Sequence, residues 1–318
     1  MNHDTSTLVV VNPVSAGGQT MRRWPQIRSA LREADIDIRA HLTTSRGDAT
    51  LVTRREITGR ASVRRVVAVG GDGTLNEVIN GCFDERGAPL VDGLTVGLIP
   101  SGTGSDIRRT LSLPTDPHAA ARLLAGGTTR NIDVGRIVFA DGSQRLFANV
   151  ADCGLGGEVV TRINRSGQKR AGLRGSAVFL GVSIAELLSF RNRDVLLTID
   201  GVTSRARVQQ VVVANGRCFG GGMRIAPGAD PADGLLDVVV VGDISRLGAL
   251  LAVPRLFRGT HLGLAAVSSQ RARSIGIATV DGESPPRFDV DGEQVGSAPA
   301  EITVLPRALR FAAPALVC

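Results

Sequence analysis

An apolar, β-branched run that ends in a glycine-rich turn constrains the fold of this chain more than any other stretch. The run at residues 66–69 stops at Gly70-Gly71-Asp72-Gly73-Thr74, after which the spacing of apolar residues is helical. Glycine tolerates positive φ and has no side chain, so successive N–H groups of such a turn can face an anion. A helix that starts at Thr74 adds further free donors. The turn is a candidate phosphate site, and an ordinary strand-to-helix loop is the alternative.

Strands and helices alternate along the first part of the chain. The expected strands are residues 7–11, 36–42, 64–69 and 94–100, and the expected helices are 21–34, 48–57 and 75–82. This alternation predicts an α/β domain with a doubly wound, mostly parallel sheet. Ligands of such sheets bind at the carboxyl ends of the strands, where the glycine-rich turns fall.

The pattern changes near residue 130. Alternating β runs follow at residues 132–138, 146–150, 195–199, 204–214 and 236–241, interrupted by helical stretches at 175–190 and 244–257. We therefore expect a β-rich, sandwich-like second domain. The expected boundaries are 1–129 for the α/β domain, 130–303 for the β-rich domain, and 304–318 for a C-terminal segment that packs near the domain interface.

Composition excludes several classes of phosphate-binding protein. Lys169 is the single lysine and lies in Gly-Gln-Lys-Arg, so neither a Walker A loop nor a protein-kinase β3 lysine is present. Residues 70–75 do not supply the Gly-x-Gly-x-x-Gly of a dinucleotide-binding Rossmann fold. The four cysteines are far apart, which supports neither a disulfide framework nor a metal cluster.

Charge and hydropathy bear on partners and location. Lys plus Arg is 37 against 30 Asp plus Glu, without a dense basic run, so we expect no nucleic acid partner. The N-terminus has no signal pattern, and the apolar segments are too short to span a bilayer. We expect a cytoplasmic protein without a transmembrane segment.

Eight short motifs, in order along nearly the whole chain, resemble those of the diacylglycerol-kinase-type lipid kinases in their compact bacterial form. The Gly-Gly-Asp-Gly-Thr core is shared with NAD kinases and phosphofructokinases, whereas the ordered set is much more specific. The motifs are Asn12-Pro13-x-Ser15, Thr43 with Gly47-Asp48-Ala49, Gly70-Gly71-Asp72-Gly73-Thr74-x-Asn76-Glu77, Pro100-x-Gly102-Thr103-x-x-Asp106, Asp133-Val134-Gly135, Asn149-x-x-x-x-Gly154, Asp233-Gly234-Leu235-Leu236-Asp237 and Asp291-Gly292-Glu293.

The resemblance implies that ATP binds in a cleft between two domains. Asp106 also begins a helix, where capping of free N–H groups is its alternative role. Ser105 stands where the family pattern has Asn, which puts the fine positioning of that turn in question. The nucleotide-binding residues implied by the resemblance are Asn12, Thr43, Gly71, Asp72, Gly73, Thr74, Leu75, Asn76, Glu77, Thr103 and Asp106.

The resemblance also implies a general base and two magnesium sites. The base is Glu293, which we prefer to Glu283 of a second Asp-Gly-Glu because Glu283 precedes Ser-Pro-Pro, a loop-like sequence. A structural Mg²⁺ is implied at the Asp233 carboxylate and the backbone carbonyls of Asp230 and Leu235, with a β-turn as the alternative. A catalytic Mg²⁺ would arrive with the nucleotide.

The expected function is transfer of the γ-phosphate of ATP to a lipid alcohol, most simply diacylglycerol giving phosphatidic acid in phospholipid biosynthesis. The enzyme would meet this lipid peripherally at an anionic membrane surface, to which the excess of arginine is attracted. The sequence leaves open whether the protein forms a homodimer. The alternatives are an NAD-kinase-like enzyme for a small substrate and a catalytically inactive nucleotide- or lipid-binding protein.

Overall fold

The chain forms two compact units in a computed structural model that describes residues 7–59, 63–101, 105–165 and 175–315. The first unit contains the described residues up to Ile132 together with those from Arg307 onward, and the second contains those from Asp133 to Pro306. No helix in this described part of the chain is long and apolar enough to cross a membrane.

The first unit is an α/β layer structure. Its strands follow the order β2-β1-β3-β4, all parallel, and residues 310 and 311 of the last strand of the chain pair with β4 in the same direction. Its elements are β1 Thr7–Val11, a 3-10 helix Ser15–Gly18, α1 Gln19–Glu33, β2 Ile38–Leu42, α2 Asp48–Gly59, β3 Arg65–Gly70, α3 Asp72–Gly81, β4 Thr95–Pro100, α4 Asp106–Leu111 and α5 Pro117–Ala125.

Helices cover both faces of this sheet. Val9 and Val11 of β1 belong to a buried cluster that includes Trp24 of α1 and Leu124 of α5. The alternating residues of β1 are buried as well, so the strand has no solvent-facing side. A strand that is apolar on both faces is typical of a covered parallel sheet, which is why β1 is a continuous apolar run.

The second unit is built from two antiparallel sheets. One has the order β12-β11-β10-β7-β14-β15, and the other contains β9-β8-β13 followed by the first part of β16, and the pair β5-β6. The elements are β5 Thr129–Phe139, which begins in the first unit, β6 Gln144–Phe147, β7 Val150–Gly154, α6 Leu155–Arg165, α7 Gly175–Ser189, β8 Arg193–Ile199, β9 Val202–Val208, β10 Gln210–Ala214, β11 Leu236–Val241, α8 Arg246–Arg258, a 3-10 helix His261–Gly263, β12 Val267–Ala272, β13 Ser274–Thr279, β14 Arg287–Val290, β15 Glu293–Ser297 and β16 Ala300–Ala312, which ends in the first unit.

The core of the second unit lies between its two sheets. Phe139 of β5 packs edge-to-face on Phe288 of β14, with ring centroids 5.6 Å apart. One buried cluster joins both sheets, including Val211 of β10 and Ile275 of β13. The predicted fold class, a mostly parallel α/β domain followed by a β-rich sandwich-like domain, is therefore confirmed.

Two predicted strands were wrong because each is divided. The run 204–214 is divided between β9, which is exposed except near its end, and the fully buried β10 of the other sheet, since the chain changes sheet near Gln209. The run 146–150 is interrupted at Ala148 and Asn149, whose N–H groups donate to a distant carboxylate instead of a neighbouring strand. Helix α3 also begins earlier than expected, at Asp72.

Close packing of α2 on α3 gives the first testable prediction. A Cβ added to Gly81 would lie 2.7 Å from the backbone oxygen of Thr50 and 2.7 Å from Cβ of Thr53. Because backbone cannot give way cheaply, Gly81→Ala should lower the free energy of unfolding by about 1–3 kcal/mol. Gly59→Ala is the matched control, because nothing lies within 4 Å of the added Cβ. Urea unfolding measures the stability of both variants. Equal free energies of unfolding for Gly81→Ala and Gly59→Ala would contradict the close packing of α2 on α3.

Candidate active site

The first glycine-rich turn joins β3 to α3 with an uncapped helix start. Gly71 is extended, with φ −105° and ψ −169°, and as the N-cap residue it has no side chain to cap α3. Neither Gly70 nor Gly71 has positive φ. Gly70 is required for another reason, since its Cβ would lie 2.6 Å from Oγ1 of Thr74. The turn therefore presents the N–H groups of the first turn of α3, which is the geometry that favours an anion.

Asp72 connects this turn to the helix that follows β4. Its carboxylate accepts hydrogen bonds from the backbone N–H of Asp106 (2.9 Å) and of Ile107 (3.4 Å), at the start of α4. Asp106 is only 4% exposed, and its own carboxylate accepts a hydrogen bond from Arg109 at 2.7 Å. Asp72 thus caps α4, while Asp106 forms an ion pair within that helix.

Asn12 and Thr74 meet at the carboxyl ends of β1 and β3. Nδ2 of Asn12 donates to Oγ1 of Thr74 at 3.0 Å, and Oδ1 of Asn12 accepts from the N–H of Val14 at 3.1 Å. Thr43 leaves the end of β2 with its N–H donating to the backbone oxygen of Val11. Because β2, β1 and β3 are parallel neighbours, these residues lie along one edge of the sheet.

Glu77 supports the site by capping α2. Its carboxylate accepts hydrogen bonds from the N–H groups of Gly47 (2.9 Å) and Ala49 (3.2 Å). Asp48, between them, accepts from the backbone N–H of Thr44 at 2.8 Å. Burial raises the pKa of Asp48, but hydrogen bonds from Thr44 and His41 outweigh it, so the net shift is downward. Glu77 is therefore occupied with the backbone of a neighbouring loop.

Not every residue of the predicted nucleotide site is placed to expose its side chain. Leu75 is 2% and Asn76 0% exposed, so both side chains lie inside the first unit. The N–H of Leu75 donates to the backbone oxygen of Gly71 at 3.1 Å, so this position offers a ligand neither a side chain nor a free N–H. Thr103 lies outside the described residues.

Ser105 adopts a backbone conformation that explains the family preference for Asn. Its φ of 41° and ψ of 59° are left-handed, it is 2% exposed, and its Oγ has no hydrogen-bond partner among the described residues. Asn occupies the left-handed region more readily than other residues with a side chain. Serine at this position therefore carries a conformational cost and an unsatisfied hydroxyl.

In the second unit, a two-residue turn holds the candidate base. Asp291 and Gly292 have φ of 49° and 85°, the pattern of a tight hairpin turn between β14 and β15. The carboxylate of Asp291 accepts hydrogen bonds from three consecutive N–H groups, those of Ala148 (3.2 Å), Asn149 (3.2 Å) and Val150 (2.9 Å). The N–H of Asp291 in turn donates to the backbone oxygen of Val150 at 2.9 Å.

Glu293 and Glu283 differ in their structural setting. Glu293 is the first residue of β15, directly after the Asp291 turn, and is half-buried. Glu283 lies in the irregular stretch between β13 and β14, with its N–H donating to the backbone oxygen of Val280. Only Glu293 follows a turn that is fixed by hydrogen bonds to a second strand.

Two carboxyl groups that were not among the predicted site residues face each other near this turn, one buried and one half-buried. Asp152 of β7 and Asp289 of β14 are directly paired across the antiparallel ladder, and Asp152 is 2% exposed. Nε2 of Gln210 donates to Oδ2 of Asp152 at 2.5 Å. Burial, and next the charge of Asp289, raise the pKa of Asp152 well above its ordinary value. An Asp within the buried run Val-Ala-Asp-Cys-Gly was the available signal.

The residues predicted to bind a structural Mg²⁺ form an acidic loop before β11. Asp233 accepts from the N–H of Leu235 at 3.0 Å and pairs with Arg271 at 3.3 Å, and Asp230 accepts from the N–H of Ala232. Burial, and next the charge of Asp233, raise the pKa of Asp237 to about 6. Among the described residues, no group of three or more His, Cys, Asp or Glu side chains could hold a metal ion.

Family models match nearly all of the chain. The model described as "Diacylglycerol kinase catalytic domain" matches residues 6–137, and the model described as "YegS C-terminal NAD kinase beta sandwich-like domain" matches residues 151–313. The second match covers more than half of the chain. The chain therefore belongs to the diacylglycerol-kinase-type family of bacterial kinases, as its ordered motifs predicted.

Individual relatives agree with this assignment. A protein named diacylglycerol kinase from Mycobacterium tuberculosis strain H37Rv is 30% identical over 309 residues, which cover 96% of this chain and 94% of the relative. The diacylglycerol kinase of Bacillus subtilis strain 168 is 26% identical over 96% of this chain and 95% of its own. A crystal structure from Bacillus anthracis strain Sterne matches with a TM-score of 0.77 and 26% identity, covering 98% of this chain and 95% of that one.

The facing carboxyl groups of Asp152 and Asp289 give a prediction with a defined pH dependence. A raised folded pKa means that the contribution of Asp152 to stability is fully present below its ordinary pKa of 3.8 and is lost as the pH rises toward the folded value. Asp152→Asn removes this loss and keeps an oxygen that can accept from Gln210. We expect the variant to exceed the parent by on the order of 1 kcal/mol at pH 7, with the difference shrinking toward pH 4.

Asp194→Asn is the control of opposite sign. The hydrogen bond from Arg205 at 2.6 Å lowers the pKa of Asp194, so its contribution is present above pH 3.8 and lost as the pH falls. Denaturant unfolding at several pH values measures both variants. A gain for Asp152→Asn that did not change with pH would contradict the electrostatic explanation.

Proposed function

We propose that the chain is an ATP-dependent lipid kinase, which transfers the γ-phosphoryl group of ATP to the hydroxyl of diacylglycerol and so produces phosphatidic acid. The names of its relatives and the end-to-end family match support this acceptor. The observation that carries the proposal is the turn at Asp291, because it fixes a half-buried carboxylate, Glu293, two residues further on.

Glu293 is the proposed general base. Phosphoryl transfer to an alcohol needs a carboxylate aimed at the hydroxyl proton, and a base contributes most when its position is fixed before the substrate arrives. The three N–H groups that bind Asp291 anchor the turn to β7 and the residues before it, so Glu293 starts β15 from a fixed point. This anchoring is the contribution of the chain that the proposed chemistry uses most directly.

The edge of the first unit's sheet is the proposed phosphate-binding region. The uncapped start of α3 supplies backbone donors, and Asn12 and Thr74 hold each other beside it. Thr43 follows the neighbouring strand, and Thr103 and Asp106 follow β4. We propose that Leu75 and Asn76 contribute by packing inside the first unit, where they hold the start of α3, and that Glu77 acts by ordering the loop that precedes α2.

Magnesium fits the chemistry of the residues proposed for it. Asp233 offers a carboxylate, and Asp230 and Leu235 offer backbone carbonyls, an oxygen-only set that suits Mg²⁺ with water completing its coordination. A metal there would hold the loop before β11. A second Mg²⁺ bound with ATP would neutralise charge on the phosphates during transfer.

The proposed enzyme works peripherally at an anionic membrane surface, because its acceptor is a membrane lipid. Lys plus Arg exceeds Asp plus Glu, 37 against 30, which favours such a surface.

The proposed base is tested by Glu293→Gln. This change keeps the size and polarity of the side chain but removes its ability to accept a proton. We expect kcat to fall by about 10²–10⁴-fold, with the Kd for ATP within about twofold of the parent, because a general base acts on the acceptor rather than on the nucleotide. Radiolabelled transfer to diacylglycerol measures kcat, and calorimetry measures ATP binding.

Glu283→Gln is the matched control, since it alters the other Asp-Gly-Glu in the same way and should leave kcat unchanged. Thermal unfolding of both variants verifies that they are folded. Near-normal turnover by Glu293→Gln would remove Glu293 from the reaction.

A further inference from the structure

Helix α8, Arg246–Arg258, is an apolar helix that the second unit leaves largely uncovered. Of its thirteen residues, Ala249 is the one that is buried. Leu247 is 66% and Leu251 68% exposed, one turn apart on the same side of the helix. A surface helix of a globular protein normally turns such residues toward the core. Here they point to solvent.

The exposed face of α8 has a distinct arrangement of charge. Pro254 and Arg258 follow Leu247 and Leu251 along the same side, and Arg246 and Arg255 flank it. None of these three arginines forms an ion pair with a described residue. The sequence 246–258 contains no Asp or Glu. The face is thus an apolar stripe bordered by unneutralised positive charge.

Neighbouring residues extend the apolar surface, and the acid nearest to it in sequence is paired with other side chains. Phe257 of α8 is 45% exposed, and α7, which contacts α8, exposes Leu188 to 48%. The nearest acid in sequence, Asp243, is engaged by Arg207 at 3.5 Å and by Nδ2 of Asn192 at 2.7 Å. Cations and apolar groups therefore dominate this face.

Both ends of helix α8 are defined by residues of the chain itself. Ser245 caps its start, with Oγ accepting a hydrogen bond from the N–H of Gly248 at 3.1 Å. Gly259, in the left-handed conformation, ends it. A preformed helix loses little conformational entropy on binding, so the apolar area is ready to leave water.

We propose that the face of α8 formed by Leu247, Leu251, Arg246, Arg255 and Arg258 docks the protein on an anionic lipid bilayer. This inference rests on the proposed lipid acceptor and identifies the surface through which the chain reaches it. Leucines below the headgroups with arginines at the level of the phosphates is the arrangement of interfacial helices. A protein partner would need a complementary acidic patch, and nothing in the arrangement of α8 favours one over lipid phosphates.

The docking face is tested by vesicle flotation of the full chain without ATP. The vesicles are phosphatidylcholine with or without phosphatidylglycerol. We expect binding only with phosphatidylglycerol, and a loss of about tenfold or more in partition for Leu247→Ser/Leu251→Ser. Arg255→Gln and Arg258→Gln should each weaken binding by about fivefold and reduce its dependence on salt.

Leu51→Ser is the matched control. Leu51 is 71% exposed on α2 and has the same side chain in a helix, so its loss should leave partition unchanged. Undiminished flotation of the double leucine variant would overturn the proposal. So would a dimer in light scattering that the double variant dissociates, because the face would then bind a second copy of the chain.

The outcome is separable from that of the proposed function, because flotation requires no turnover. A chain that floats through α8 but phosphorylates no lipid keeps the docking face and loses the kinase assignment. A chain that phosphorylates diacylglycerol in detergent but does not float keeps the activity and loses the docking face.

Discussion

The carboxylate of Asp291 organises the part of the molecule on which the proposed chemistry depends. It accepts hydrogen bonds from three consecutive N–H groups, and it is only 9% exposed. Each hydrogen bond to a charged acceptor contributes about 1.5–3 kcal/mol, and losing the acceptor would leave buried donors unsatisfied. The same hydrogen bonds end the strand pairing before β7 and fix the start of β15. The position of Glu293, the first residue of β15, therefore depends on Asp291.

Carboxylates also accept hydrogen bonds from backbone N–H groups in the first unit, where one helix start is left without such a partner. There, carboxylates of Asp72 and Glu77 accept from backbone N–H groups at the starts of α4 and α2, which orders the loops after neighbouring strands. The start of α3 is left without a side-chain cap at Gly71. Carboxylates therefore bind the free N–H groups at the starts of α2 and α4, on either side of the candidate phosphate site. Helix α3, which follows the glycine-rich turn, keeps its own N–H groups for a ligand.

Local signals in the sequence predicted much of this fold. The strand Thr7–Val11 was predicted with its observed bounds, because a short β-branched run followed by Asn-Pro favours a strand over a helix. The break at Asn149 could not be predicted, because the carboxylate that causes it lies 142 residues away. The pairing of Asp152 with Asp289 depends on strand register, which neither residue's neighbours reveal. Non-local contacts of this kind position Glu293, whereas a sequence motif was enough to select it as the candidate base.

Phosphorylation of a lipid alcohol is the activity that we propose for this chain. The most direct measurement incubates the purified full chain with labelled ATP, Mg²⁺ and a panel of diacylglycerol, a sphingoid base, ceramide and NAD, and separates the products by chromatography. We expect label in phosphatidic acid and none in the NAD product. Label in the NAD product alone, or in no product across the panel, would contradict it.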